Sequence, residues 1–550
     1  MKPTFAAFAA LALLGGCHQP APKPAPATST EMTNAEDPYL WLEDIHGERP
    51  LAWVAEHNAE TAKAYAGTPE FEALRNGILE VLDSDARIPA VEKIGDLYYN
   101  FWKDKDHVLG LWRRTTIEEY RKADPAWETV IDLDALSATD GKRWVWHGAR
   151  CLKPANRRCL VAMSPGGGDA DVVREFDLVD KAFVEGGFHV PEAKSETAWI
   201  DADHIYVGTD FGPGSMTKSS YPRTVRVWKR GTPLAQAEQV YEVGMDDLAA
   251  SAMRDLTPGF ERDFLVRTID FYTSETFLRD AQGTLHKVDV PLDAVVDVHR
   301  EWLLVAPRSE WKVGGQVHPG GSLLAARFDD YMAGKRELVK LFTPSETTSL
   351  SGHSWTRHHL ILNLLDDVSS RQEVLTPAPG EWTRAPLGGA PALSQVEAEG
   401  VDADASDAYF LTITGFLTPT TLAHGEIGGD APRTLKRTPD FFDPAPYAVS
   451  QHFVRSKDGT RVPYFQIAPK DMKLDGSHPT ILNGYGGFEV ARLPMYSGTI
   501  GRAWLERGGV FVVANIRGGG EYGPRWHQAA LKANRPRAYE DFAAIAEDLV

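Results

Sequence analysis

The sequence predicts two domains built on different principles: a long antiparallel β array, most economically closed into a propeller, followed by the opening of an α/β sheet. Three observations carry this. At 550 residues the chain exceeds what one core can organise and suffices for two or three domains. From about Ile88 to Pro432, short β-rich runs follow one another with no long helix between them. Beyond Pro446 a hairpin pattern gives way to strand, helix, strand, helix, the texture of an α/β sheet.

Composition bounds the function. Hydrophobic residues at 43% and aromatic residues at 10% describe a well-packed globular protein. The 77 acidic residues outnumber the 58 basic ones, giving a formal charge of −19 with no basic run to interrupt it. A phosphate backbone would be repelled, so nucleic acid is excluded as an expected partner. No CxxC pair, HExxH motif or His-rich cluster occurs, so no metal site is expected.

The elements follow in chain order. Residues 1–17, "MKPTFAAFAALALLGGC", have one Lys, an apolar run from Phe5 to Leu14 and two glycines before Cys17, the shape of an export signal too short to span a bilayer. The "LGGC" end resembles a bacterial lipoprotein signal, which implies cleavage before Cys17 and lipidation of that residue. An ordinary cleaved export signal with an incidental Cys is the alternative. Residues 18–36 then read as a Pro/Ala-rich tether. The expected location is the bacterial periplasm or cell envelope, with the membrane touched only through an N-terminal lipid. Residues 37–87 are helical, with Trp53, Val54, Asn58 and Thr61 at helical spacing in a first segment. Phe71, Leu74, Ile78 and Leu82 lie near one face of a second, and both helices must pack on something outside themselves.

Residues 88–435 hold the β array. Runs such as "DLYYNFW", "RRCLVAMS", "HIYVGTD", "EWLLVAP", "HLILNLL" and "AYFLTIT" alternate with turn clusters such as "GPGS" and "DAQG". More than three hundred residues of this texture exceed a single sandwich. A propeller, whose radial blades leave only short edges, is the economical solution; stacked sandwiches are the alternative. No WD or kelch repeat recurs. Cys151 and Cys159 flank a turn between two strands, where they can form a disulfide or stay reduced and buried.

Residues 436–550 open the α/β sheet. "QHFVRS", the D-G turn and "RVPYFQIA" form a hairpin; "PTILNGYGG" and "VFVVANI" are buried strands around a helical stretch at "GRAWLERGG". The closing helix "YEDFAAIAEDLV" places Tyr539, Phe542, Ala546 and Leu549 along one side. The three glycines around Tyr485 in "TILNGYGGFEV" suggest a backbone that something approaches closely.

"SKDGTRVPYFQIAPKDMKLDGSHPTILNGYGGF", "VFVVANIRGGGEYGPRWHQAALKAN" and "YEDFAAIAEDLV" resemble the prolyl oligopeptidase family of serine peptidases. The leading "EDPYLWLED" is similar to that family's N-terminal helices. The resemblance implies an α/β-hydrolase domain capped by a seven-bladed β-propeller, a monomer that needs no cofactor, and short proline-containing peptides as substrates. It implies that the Tyr485 hydroxyl is an oxyanion-hole donor, a role worth on the order of 3 kcal/mol of barrier. It implies that Phe488 lines the pocket for the proline ring. His527 precedes any nucleophile, against the Ser, acid, His order of hydrolase triads, and reads as structural. "RGGGEYG" lacks the Lys and Ser or Thr of a phosphate loop and reads as a turn above the sheet.

No serine sits in a G-x-S-x-G elbow; "HPGGSLL" and "SGHSW" have the first glycine only. The nucleophile Ser and its Asp and His partners are therefore absent from these 550 residues, which are expected to be inactive by themselves and to represent a C-terminally truncated peptidase. In the usual hydrolase order, truncation would leave "TILNGY" as an exposed apolar edge. Two other readings stand beside this one: an oligopeptidase that cleaves after basic residues, and a noncatalytic surface-tethered propeller that binds peptides or proteins.

Overall fold

The computed structural model describes residues 37–44, 46–389 and 391–550. The signal, Cys17 and the tether lie outside the described residues. Among those described, seven antiparallel sheets follow one another along residues 92–132, 144–193, 196–242, 249–287, 294–342, 348–387 and 395–437. Six have four strands in sequential hydrogen-bonded order, apart from a small side hairpin inserted in the fifth; the second gains a fifth strand. Each sheet is made from its own continuous segment.

Period-two alternation sends successive side chains to opposite faces, so every middle strand serves two cores. Trp302 and Leu304 face the sixth sheet while Leu303 and Val305 face the fourth. Leu360, Leu362 and Leu364 pack toward the fifth sheet while Ile361 packs toward the seventh. Apolar clusters of this kind join the first sheet to the second and so on to the seventh. The seventh meets the first differently. Tyr98 sits edge-on to Phe410 at 6.4 Å, Lys93 Nζ lies 2.6 Å from Asp402, and Lys436 reaches the Lys122 carbonyl. These contacts close the ring of a propeller.

The loop carrying Asp402 does more than close the seam. Asp404 pairs with Lys153 of the second sheet's first turn at 2.5 Å, and the Ala403 and Asp404 carbonyls accept from Arg300 of the fifth sheet at 3.3 Å. One loop of the seventh sheet thus spans the mouth of the ring on the side away from the second domain. In the second sheet, Cys151 and Cys159 pair directly across their hairpin, 3.9 Å apart at Cα, and are joined by a disulfide within the core shared with the first sheet.

The second domain begins with the hairpin Tyr447–Arg455 and Arg461–Pro469. Arg461–Pro469 pairs antiparallel with Val510–Ala514, which pairs in parallel with Thr480–Gly484. Thr480–Gly484 is the edge of this four-stranded sheet, and Ile481 on it is exposed. One sheet face, with Val462, Tyr464, Val512 and Ala514, is covered by the closing helix Pro536–Leu549. The other, with Phe465, Ile467 and Val513, meets Leu505, Phe442 and, from the propeller, Val368 and Phe416.

Two helical faces differ from the expected ones. In Pro536–Leu549 the buried residues are Ala538, Asp541 and Ile545, with Phe542 and Leu549 beside them, whereas Tyr539 is exposed. Arg517 draws Asp541 inward and so sets the rotation of the helix. In Pro69–Leu82 the inner side is Leu74, Ile78 and Val81, while Phe71 and Leu82 turn outward. This helix meets Gly498–Ala503, where a Cβ on Gly498 would lie 2.9 Å from Val81, and Arg502 reaches Glu80 at 3.0 Å. The preceding helix Glu48–Thr61 leaves Leu51, Trp53 and Val54 exposed.

Candidate active site

Gly484 ends the edge strand, and the chain turns through Tyr485, Gly486, Gly487, Phe488 and Glu489 over the C-terminal ends of the two parallel strands. That end is where open α/β sheets place their ligands. Tyr485 is half-buried, and among the described residues no protein group takes up its hydroxyl. Phe488 is 59% exposed. The turn is conformationally costly: Gly486 has φ 59°, and the non-glycine residues Phe488 and Glu489 follow at 50° and 58°. A left-handed conformation at a residue with a Cβ costs on the order of 1–3 kcal/mol and needs support.

The support comes first from "RGGGEYG". A Cβ on Gly518 would lie 2.1 Å from the Gly486 carbonyl oxygen, one on Gly519 3.0 Å from that of Val490, and one on Gly520 2.2 Å from that of Glu489. Three consecutive glycines thus let one backbone lie directly against another. The Glu489 N–H donates to the Gly518 carbonyl at 3.2 Å, and Arg535 holds the Gly486 carbonyl. Beneath this shelf Glu521 is buried. Its Oε1 accepts from the Arg492 N–H at 2.9 Å and from Asn515 Nδ2 at 3.2 Å, and burial pushes its carboxyl up to about 7.

Arg517 is fully committed. Its Nε and Nη2 donate to Asp541 at 2.9 and 2.6 Å, and Nη1 donates to Asp458 at 2.5 Å. The Arg517 guanidinium holds the Asp458 carboxyl well below the usual range. Two carboxylates on one buried guanidinium leave nothing for a bound anion, and the pair ties the hairpin turn to the closing helix.

The propeller supplies a second set of contacts. From the turn of its fourth sheet, Phe271 stands edge-on to Phe488 at 6.2 Å, and Tyr272 packs against His527. From the fifth sheet, Arg308 stacks on Tyr272 at 4.3 Å, donates to His527 Nδ1 at 3.1 Å and forms an ion pair with Glu489. Burial, reinforced by Arg308 and Arg535, pushes His527 down to about 4, so the ring is neutral. With Nδ1 accepting, its proton sits on Nε2, which faces the Tyr272 hydroxyl at 3.4 Å. This His is a link between domains, enclosed by Arg308 and Tyr272. Burial raises the Glu489 carboxyl and the Arg308 charge opposes that rise.

The structure therefore brings Tyr485 and Phe488 onto one loop facing the propeller, and places Cys151 and Cys159 far from it in the second sheet. Among the described residues no cluster of three or more His, Cys, Asp or Glu could hold a metal, and no helix is long and apolar enough to cross a membrane. Sequence reasoning missed Phe271, Tyr272 and Arg308, which carry no local motif. It saw the triple glycine without its partner, although three adjacent glycines are themselves a sign of close backbone contact.

The family model "Prolyl oligopeptidase, N-terminal beta-propeller domain" matches residues 21–437, and "Prolyl oligopeptidase family" matches residues 497–550. A peptidase of Sinorhizobium fredii is 38% identical over 94% of this chain and 72% of its own length. The prolyl endopeptidase of Elizabethkingia meningoseptica is 25% identical over 94% of this chain and 70% of its own. Among solved structures, a post-proline cleaving enzyme from Rickettsia typhi is 30% identical with a TM-score of 0.86, covering 92% of this chain and 76% of that one.

Proposed function

Because this chain belongs to the prolyl oligopeptidase family of serine peptidases, we propose that it carries the propeller and the first part of the peptidase domain of an enzyme that cleaves short peptides after proline. In this reading the seven sheets are seven blades, and the sheet of residues 447–514 is the start of an α/β-hydrolase domain. The observation that carries the reading is the loop from Tyr485 to Glu489, held in a left-handed path at the ends of two parallel strands with an uncommitted phenol and an exposed aromatic ring.

Tyr485 would donate to the oxyanion that forms when a serine attacks the scissile carbonyl, and Phe488 would pack on the proline ring. The acyl-enzyme would then be hydrolysed by water with the help of His and Asp. No serine of the 550 residues stands in a Gly-x-Ser-x-Gly elbow, so in this reading the attacking serine and its Asp and His partners lie outside them. The propeller would admit short peptides and exclude folded proteins. An exported, lipid-anchored monomer is part of the same proposal.

Two measurements test it. The 550-residue chain, incubated with a fluorophosphonate probe and a chromogenic proline peptide, is expected to show neither labelling nor turnover. If the coding sequence continues in frame, the protein extended through a Gly-x-Ser-x-Gly stretch is expected to show both, with Tyr485→Phe lowering kcat on the order of 100-fold. Labelling of the shorter chain would mean that it holds a nucleophile outside any elbow motif. Cleavage after arginine in preference to proline would replace the specificity proposed.

A further inference from the structure

The loop that carries Tyr485 and Phe488 is held from three sides, and only one of them belongs to the other domain. The shelf of Gly518 to Gly520 and the Arg535 side chain lie in the same domain as the loop. The propeller side is Phe271, edge-on to Phe488, and Arg308, which directly follows the strand Trp302–Pro307 and is the charged contact of the two. The Arg308 side chain ends on Glu489, the second of two consecutive left-handed residues and the neighbour of Phe488.

The Arg308 guanidinium is itself fixed. The Tyr272 ring lies against its face and neutral His527 accepts one of its N–H groups, while Gln528 Nε2 donates to the Arg308 backbone carbonyl at 3.2 Å. Its side chain is 14% exposed and that of Glu489 19%, so water screens the pair weakly. Loss of one partner from such a pair leaves a desolvated charge behind, which favours rearrangement of the group that remains. For Glu489 the route of rearrangement is relaxation out of the left-handed conformation, which would carry Phe488 and the turn after Tyr485 with it.

The rest of the domain interface looks different. On the side of the sixth and seventh sheets, Asp367 accepts from Arg461 at 2.8 Å and from Tyr522 at 2.9 Å, Val368 is fully buried, and the Tyr496 N–H donates to Thr414 at 3.1 Å. Those contacts join the domains without touching residues 485–489.

We infer that Arg308 is a positioning residue: through Glu489 it holds the Tyr485–Phe488 loop in its strained shape only while the propeller is seated on the peptidase domain. Seating the propeller and assembling the pocket are then one event. The inference rests on the proposed roles of Tyr485 and Phe488 for its bearing on catalysis, and on geometry alone for the coupling.

Amide hydrogen exchange on the 550-residue chain tests the coupling without any need for activity. Arg308→Met is expected to speed exchange of the Glu489 and Val490 amides, which donate to the Gly518 and Gly487 carbonyls, by at least about tenfold. The strand Leu360–Asp366 should keep its wild-type protection, which reports that the propeller remains folded. Arg308→Lys is expected to recover part of the loop protection, and the reversed pair Arg308→Glu with Glu489→Arg a larger part. Arg461→Met, which weakens the interface elsewhere, should leave the loop unchanged. Full loop protection in Arg308→Met would overturn the inference, as would equal loosening by Arg461→Met. If the extended protein proved to have no peptidase activity, the functional reading would fall while these exchange rates would still decide the coupling.

Discussion

Glu521 and His527 stand six residues apart and respond to pH in opposite senses. Burial raises Glu521 from an ordinary value of 4.5 to about 7. The folded state therefore holds its proton more tightly, and the associated stability is complete below pH 4.5 and lost as pH rises through 7. His527 falls from 6.5 to about 4, so its contribution is present above pH 6.5 and is lost as pH falls through 4. Glu521→Gln is expected to stabilise the fold at pH 8 by on the order of 3 kcal/mol and to change it little at pH 5. Denaturant titrations at the two pH values measure this; an equal change at both would remove the titration as the cause. Tyr485 and Phe488 were legible because a glycine frame and a family resemblance marked them. Arg308 was not, because its partner Glu489 lies far along the chain in another domain, and no local pattern records such a meeting.

At the scale of elements, strands were read well and helix rotations less so. "HLILNLL" announces a strand because burial on both faces favours apolar side chains at nearly every position; Leu360–Asp366 is such a strand, and its buried Asn363 is satisfied by the backbone of Ala398. In the closing helix Phe542 and Leu549 lie on the expected side but Tyr539 does not, because hydrophobicity cannot foresee that Asp541 is its buried centre. Only the bidentate partner Arg517 makes that burial tolerable. The stacked glycine turns yield a sharper expectation. Gly518→Ala must place a methyl 2.1 Å from a carbonyl oxygen at φ 97°, and should cost about 3 kcal/mol. Gly459→Ala has a similar φ of 85° but open space around it, and should cost about 1 kcal/mol. Thermal and denaturant unfolding of the two variants measures the difference; similar losses would mean that the backbone contact contributes nothing.

Across the whole molecule, the two-domain plan was visible in texture alone, since hairpin after hairpin gives way once to strand–helix alternation. The loop that spans the mouth of the ring was not visible, because "VDADASD" reads as any acidic turn. Two of its anchors are ion pairs, with Lys93 and Asp402 18% and 23% exposed, so salt should weaken them modestly. Lys93→Met combined with Lys153→Met is expected to speed limited proteolysis within residues 401–407 several-fold at equal overall stability. Unchanged cleavage would show that backbone contacts alone hold the loop.

The seam between the seventh and first sheets also has a meaning in time. Lys93 and Asp402 are 309 positions apart, and Glu80 and Arg502 are 422 apart. Each other sheet is flanked by a neighbour made directly before or after it. A chain that emerges from its N-terminus must therefore carry the first sheet with one flank open until six more have formed, and its leading helices longer still. The leading helices and the first sheet are thus made early and are among the last to find their partners, and the interval between is when they are most exposed to the wrong ones.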